Sequence, residues 1–307
     1  LNSTGGIVWQ KNYGGSSNDE ARSIIQTTDG GYVVAGYTGS SVSGDVVWNE
    51  GASDFWILKL SSTGGIVWRT NYGGSSYDEA NSIVQTSDGG YAVAGYTLSS
   101  ESGQVTGTNK GLYDFWILKL NSNGGIVWQK NYGGSSVDVA YSIVQTTDGG
   151  YTVAGYTQSS GSGDVTGMNK GYSDYWILKL NSTGGITWQK NYGGGRDDVA
   201  YSIVQTSDGG YAVAGYTLSS ASGDVTGASK GWEDYWILKL NSTGGIVWQK
   251  NYGGGSYDYA YSIVKTSDGG YAAAGYTGSS ASGDVTGPSK GGYDYWIVKI
   301  DANGALQ

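Results

Sequence analysis

The chain has 307 residues, 38% hydrophobic and only 14% charged, enough to bury a sizeable core and too apolar for a disordered segment. With no cysteine and no histidine, disulfides, thiolate nucleophiles, imidazole bases and the usual zinc or copper sites are excluded. The net charge of −9, with 17 basic residues scattered along the chain, argues against nucleic acid and anionic membrane as partners.

The first predicted element is a lone apolar run, Ile7 to Tyr13. A repeat then begins, and its tryptophans at 56, 116, 176, 236 and 296 recur at 60-residue intervals. The second copy shows its parts in order: SIVQT from Ser82, YAVAGYT from Tyr91, FWILKL from Phe115 and IVWQKNY from Ile126. All four are β-branched and aromatic, which predicts strands. SDGG after the first and NSNGG after the third match hairpin turns that need positive φ. In FWILKL both faces are largely apolar, so the sheet must be covered on both sides. The small residues Ala92, Ala94 and Gly95 suit close packing near a crowded axis.

Four strands in series make an antiparallel meander, and five such units predict an all-β, five-bladed β-propeller in one domain over 1–307. The repeats run 1–59, 60–119, 120–179, 180–239 and 240–299, with 300–307 as the C-terminal end. The last copy stops after its third strand, Tyr295 to Ile300, whereas the chain opens on a fourth-type strand, so the N-terminal strand is expected to complete the last blade and close the ring. The start at Leu1 reads as a fragment cut at a repeat boundary.

WQKNYGG, D-x-A-x-S-I, DGGYxVAGYT and DYWILKLNSxG resemble the β-propeller repeats of bacterial and archaeal secreted or surface proteins over essentially the whole chain. The resemblance implies an extracellular or cell-surface prokaryotic propeller. Five blades are also similar to the tachylectin sugar-binding propellers, by blade number alone.

Comparing the five copies, differences cluster in two places, both expected in loops on one face of the ring. The first holds Asn18, Tyr77, Val137, Asp197 and Tyr257, then Glu20, Glu79, Val139, Val199 and Tyr259, then Arg22, Asn81, Tyr141, Tyr201 and Tyr261. The second precedes the third strand and carries Tyr113, Tyr172, Trp232, Glu233 and Tyr293. These aromatic residues, with Arg196 and Glu233 at the rim, are candidate ligand contacts. Neutral drift in loops is the competing account.

Two tryptophans per repeat, the Trp56 series and the series Trp9, Trp68, Trp128, Trp188 and Trp248, are expected to be buried. Two aspartates per repeat, the Asp19 and Asp54 series, stand at strand starts, where a carboxylate fixes nearby backbone amides. Asp138, Asp174, Asp198 and Asp234 are the candidates for calcium, the one cofactor left open. Asp29 and its equivalents read as turn formers. No catalytic residue is assigned, because five near-equivalent blades offer no single asymmetric constellation.

The functional expectation is a monomeric, non-enzymatic and multivalent binding scaffold for a surface glycan or a protein, with no membrane insertion. Two alternatives stand beside it: a recently amplified or engineered scaffold with no selected ligand, and a calcium-dependent or glycoside-processing propeller.

Overall fold

The computed structural model describes residues 1–307 and contains strands, turns and no helix. The first blade comprises β1 (Asp19–Gln26), β2 (Tyr32–Thr38), β3 (Asp54–Leu60) and β4 (Ile66–Tyr72); the second comprises β5 (Asp78–Gln85), β6 (Tyr91–Thr97), β7 (Asp114–Leu120) and β8 (Ile126–Tyr132). The third holds β9 (Asp138–Gln145), β10 (Tyr151–Thr157), β11 (Asp174–Leu180) and β12 (Ile186–Tyr192). The fourth holds β13 (Asp198–Gln205), β14 (Tyr211–Thr217), β15 (Asp234–Leu240) and β16 (Ile246–Tyr252), and the fifth β17 (Asp258–Lys265), β18 (Tyr271–Thr277) and β19 (Asp294–Ile300). Each sheet is an antiparallel meander in chain order, four with four strands and the last with three. This is the blade set of a five-bladed β-propeller. By its internal packing the chain divides into two compact units, Leu1–Gly133 and Gly134–Gln307.

The predicted turns form as the glycines require. Gly30 and Gly64 take φ of +80° and +75°, and equivalent glycines recur in every blade. In the first turn of the first blade Asp29 Oδ1 accepts from Gly31 N at 3.0 Å and from the Thr27 hydroxyl. The same aspartate also does something its turn position does not announce: Lys59, from the apolar strand β3 and only 5% exposed, reaches back to Asp29 at 2.9 Å. The pair recurs as Lys119–Asp88 in the first unit and as Lys179–Asp148 and Lys239–Asp208 in the second.

In each unit the third strands form the core. All seven residues of β3, β7, β11 and β15 are buried, as two apolar faces demand. In the first unit Phe55 packs on Trp116 of the next blade with ring centroids 4.7 Å apart; in the second, Tyr175 packs on Trp236 at 4.7 Å and Tyr235 on Trp296 at 4.6 Å. The Tyr175 hydroxyl donates to the Trp236 carbonyl at 2.9 Å and passes so close to Gly215 that a Cβ there would lie 2.7 Å from it. The tighter constraint is the backbone of the first strand: a Cβ on Gly215 would lie 1.9 Å from the Val199 carbonyl, and Gly36 and Gly95 meet the Glu20 and Glu79 carbonyls in the same way, which is why the second strand carries glycine in AGYT.

The Trp9 series is half-buried, not buried as expected. Its members act as clamps between blades: Trp68 Nε1 donates to Ser122 O at 3.2 Å and its ring stands edge-on to Tyr91 at 5.9 Å, and Trp188 repeats both interactions on Ser242 and Tyr211. The N-terminal segment behaves like these fourth strands toward the first blade, with Trp9 Nε1 on Ser62 O at 3.0 Å and the Tyr13 hydroxyl on Gly64 O at 2.6 Å. The fifth sheet ends at β19 with three strands, and Ile7 to Tyr13, expected as the strand that completes it, is not a strand in this structure; beyond β19 the chain turns back to an isolated bridge between Ile300 and Leu306.

Candidate functional site

The two variable segments meet because the backbone docks them. Within the first unit Asp78 N donates to Ser53 O at 2.7 Å and Ala52 N to Ser76 O at 3.0 Å, so the loop before a third strand lies along the loop before the next first strand. In the second unit the same docking is made by Asp198 N on Ser173 O, at 2.7 Å, and by Asp258 N on Glu233 O, at 2.8 Å. Which side chains stand at the docked positions then decides what the surface offers. Between the first and second blades Tyr77 stands beside the small Ala52 and Ser53, and between the third and fourth Tyr172 is joined by Asp197. Between the fourth and fifth blades an aromatic residue stands on both sides.

There Trp232 and Tyr257 stack at 5.9 Å with their planes 12° apart, and Tyr293 meets Tyr257 edge-on at 6.5 Å. Trp232 is 57% exposed and Tyr293 62%, so the pair presents an open aromatic surface. It continues inward through Tyr276, whose ring lies 4.7 Å from Tyr293 and 5.0 Å from Tyr259. Tyr261 and Tyr216 join it at 5.8 Å from Tyr276 and 4.4 Å from Tyr259 respectively.

Several candidates are placed differently from expectation. Tyr141, Tyr201 and Tyr261, with Val139, Val199 and Tyr259, are not loop residues; they lie inside β9, β13 and β17. Tyr201 and Tyr261 are the extra residues of β-bulges between Ala200 and Ser202 and between Ala260 and Ser262. A bulge turns one side chain out of the pleat, and here it aligns them: Tyr201 lies 4.8 Å from Tyr141 and 4.9 Å from Tyr261. Glu233, expected at an exposed rim, is only 8% exposed, and it pushes the Tyr259 phenol up, second to burial, by accepting its hydrogen bond. Tyr113 is half-buried edge-on to Tyr96 at 4.8 Å. Tyr77 and Tyr172 are 47% and 78% exposed and stand outside the aromatic cluster, and Arg196 is exposed with its backbone N on Ser219 Oγ at 3.0 Å.

The tyrosines of AGYT were missed as surface formers because they are invariant and so read as scaffold. The register held the signal: Tyr216 faces Val199 and Tyr276 faces Tyr259 across the first two strands.

Two of the calcium candidates, Asp138 and Asp198, spend both oxygens on the protein. Asp138 accepts from Gly134 N at 2.8 Å, from the Thr157 hydroxyl and from Ser159 Oγ at 2.9 Å; Asp198 repeats this with Gly194, Thr217 and Ser219. Asp174 and Asp234 each accept at Oδ2 from a backbone N at 2.9 Å, those of Lys170 and Lys230, while their buried Oδ1 atoms have no hydrogen-bond partner. Burial pushes the Asp198 carboxyl up to about 7 and those of Asp174 and Asp234 to about 6. No three carboxylates converge as a metal cluster.

No family model matches this sequence, and no curated protein matches it either. Among solved structures the chain is similar to a protein of unknown function from Bacteroides caccae, 15% identical with a TM-score of 0.51, over 99% of this chain and 85% of that one. It is also similar to hydrazine synthase of Kuenenia stuttgartiensis, 9% identical with a TM-score of 0.54, over 99% of this chain and 67% of that one. The WD40 domain of Neurospora crassa Pan2 is 12% identical with a TM-score of 0.42, over 92% and 83% of the two chains. At such identities the likeness is one of fold: a tandem-repeat protein of β-propeller type.

Proposed function

We propose that the chain is a non-enzymatic binding scaffold that recognises a surface glycan through the aromatic surface between its fourth and fifth blades. The observation that carries this is the Trp232–Tyr257 stack, open to solvent and flanked by Tyr293. Flat aromatic rings stack on the C–H face of a sugar at low entropy cost, and their phenol and indole groups add hydrogen bonds at the edge. An exposed stack of this size contributes little to a folded core, so a structural role does not account for it. The aromatic pair occurs at one junction, which favours one principal site over five equal ones. The lack of histidine and cysteine favours binding over turnover. A secreted or surface location in a prokaryote accords with the repeat motifs.

The test is titration with neutral cello-, xylo- and chito-oligosaccharides, followed by intrinsic tryptophan fluorescence and calorimetry. Saturable binding at one site per chain, lost in the combined Trp232→Ser, Tyr257→Ser and Tyr293→Ser variant with melting nearly unchanged, is expected. Undiminished binding by that variant, or no saturable binding of any of the sugars, overturns the reading.

A further inference from the structure

The fifth blade has a face built like those that the third and fourth blades bury. In the second unit Tyr175 and Ile177 of β11, and Tyr235 and Ile237 of β15, are fully buried against the following blade. The two tyrosine hydroxyls donate to the carbonyls of Trp236, at 2.9 Å, and Trp296, at 2.8 Å. The matching residues of β19, Tyr295 and Ile297, are 97% and 71% exposed. Ala272 and Ala274 of β18 follow them: they are half-buried, whereas Ala212 and Ala214 of β14 are fully buried. The fifth blade therefore shows solvent a contiguous apolar face, and its last strand has an unpaired edge.

The first blade carries the complementary half. A cavity there is lined by Tyr13, Ala21, Val34, Gly36, Trp56 and Leu58. In the second unit the same positions are Tyr192, Ala200, Val213, Gly215, Trp236 and Leu238, the set that receives Tyr175 and Ile177. There the set is filled, and Ala200, Ile203 and Val213 are buried; in the first blade Ala21 and Ile24 are exposed and Val34 is only half-buried. The match includes the glycine that admits the incoming phenol: a Cβ would lie 2.7 Å from the Tyr175 hydroxyl at Gly215 and 2.8 Å from the Tyr235 hydroxyl at Gly275. Beside the cavity, Trp9 and Tyr13 grip Ser62 and Gly64 as Trp188 and Tyr192 grip Ser242 and Gly244. The segment from Ile7 to Tyr13 thus holds the place of a fourth strand with no third strand paired to it, and β19 is a third strand with no fourth.

We propose that the fifth blade of one copy docks head to tail on the first blade of a second copy. Tyr295 fills the cavity against Gly36 and Trp56, Ile297 covers Ile24, and the segment from Ile7 to Tyr13 of the second copy pairs along β19. Ser262 Oγ accepts from Ile24 N, as Ser202 Oγ accepts from Ile263 N at 3.2 Å in the second unit. The two surfaces are different, so each pairing leaves one knob and one cavity open and association continues beyond two copies.

The test uses the full chain and reads mass by sedimentation velocity from about 1 to 100 μM. A mass that rises above one chain with concentration is expected. Tyr295→Lys removes the knob and Ile24→Lys blocks the cavity, and each should weaken association at least about tenfold. Both side chains are exposed, so melting of the single chain stays nearly unchanged. Mixed in equal amounts, the two variants should form a pair of one copy of each and nothing larger, because the first keeps its cavity and the second its knob. A single-chain mass at every concentration overturns the proposal. With melting lowered by Tyr295→Lys, that mass would show the chain's own first blade taking the tyrosine. Association undiminished by either substitution, or a mixture no heavier than the separate variants, overturns it equally.

Discussion

The same strand positions are spent differently in the two units. In the first, β1 and β5 carry a charged network: Arg22 pairs with Glu20 at 2.9 Å and Glu79 at 2.8 Å, donates to Asn81 at 2.7 Å and lies 4.8 Å over the Tyr37 ring. In the second, the positions of Arg22 and Asn81 are Tyr141, Tyr201 and Tyr261, whose rings pack tilted against one another along three first strands. The bulge that displays them is shared, between Ala21 and Ser23 as between Ala200 and Ser202. Backbone geometry is therefore a fixed frame, and the displayed residue sets the chemistry: a salt-sensitive polar surface in one unit, an aromatic one in the other.

The largest expected effect tests the shared part of this comparison by pH. The native carboxyls of Asp174, Asp198 and Asp234 lie above their unfolded values because they are buried, so between about pH 4 and 7 the folded state holds more protons. Stability from this source is present at the acid end and falls as pH rises through about 6 to 7. The opposite sign applies to Asp88, held to about 2 by the Thr86 hydroxyl and Lys119, and to Asp208, held to about 2 by Lys239 and Thr206; their contribution is present above about pH 4 and lost as pH falls toward 2. Melting measured in metal-free buffer should peak near about pH 4 and decline by several degrees toward about pH 7. A flat profile from about pH 4 to 7 would show that these carboxyls are not perturbed as their burial requires.

The frame was legible in the sequence because it repeats. Five third strands of the D-[FY]-W-I type, with apolar residues on both faces, admit only a covered sheet, and the glycines of DGG and STGG mark the turns. The site was legible in composition but not in placement. Trp232, Tyr257 and Tyr293 were visible as variable aromatics, yet their meeting depends on two loops docking through Asp258 N and Glu233 O, a long-range pairing that no local pattern encodes. The bulges escaped for a related reason: period-two alternation assigns Tyr201 to a face, and one inserted residue reassigns it. Glu233 was misplaced because an acid in a variable loop reads as solvated, whereas here the Tyr259 hydroxyl draws it inward.

A smaller effect, equal in both units, is expected from the third-strand tryptophans. Trp116 and Trp236 are fully buried, each against a ring of the preceding blade at 4.7 Å. Replacement of either by alanine should cost about 3–5 kcal/mol in denaturant unfolding, from reduced burial and the cavity left behind. Costs that differ between the two by more than about 1 kcal/mol would mean that the frame itself, and not only what it displays, differs between the units.

The smallest effect separates the two surfaces directly. Arg22→Gln removes a guanidinium that is 27% exposed and holds two carboxylates, so it should cost about 1 kcal/mol at low salt, discounted for solvent screening, and less at high salt. Tyr201→Leu keeps apolar bulk while removing the ring that packs on Tyr141 and Tyr261, and should cost about 1 kcal/mol whatever the salt, because ring packing is not an ionic interaction. Denaturant unfolding of both variants at about 0.05 M and 0.5 M sodium chloride measures the contrast, since the screening length falls severalfold across that range. If Tyr201→Leu proved as salt-sensitive as Arg22→Gln, the tyrosine surface would owe its stability to nearby charge, and the division between a polar and an aromatic unit would collapse.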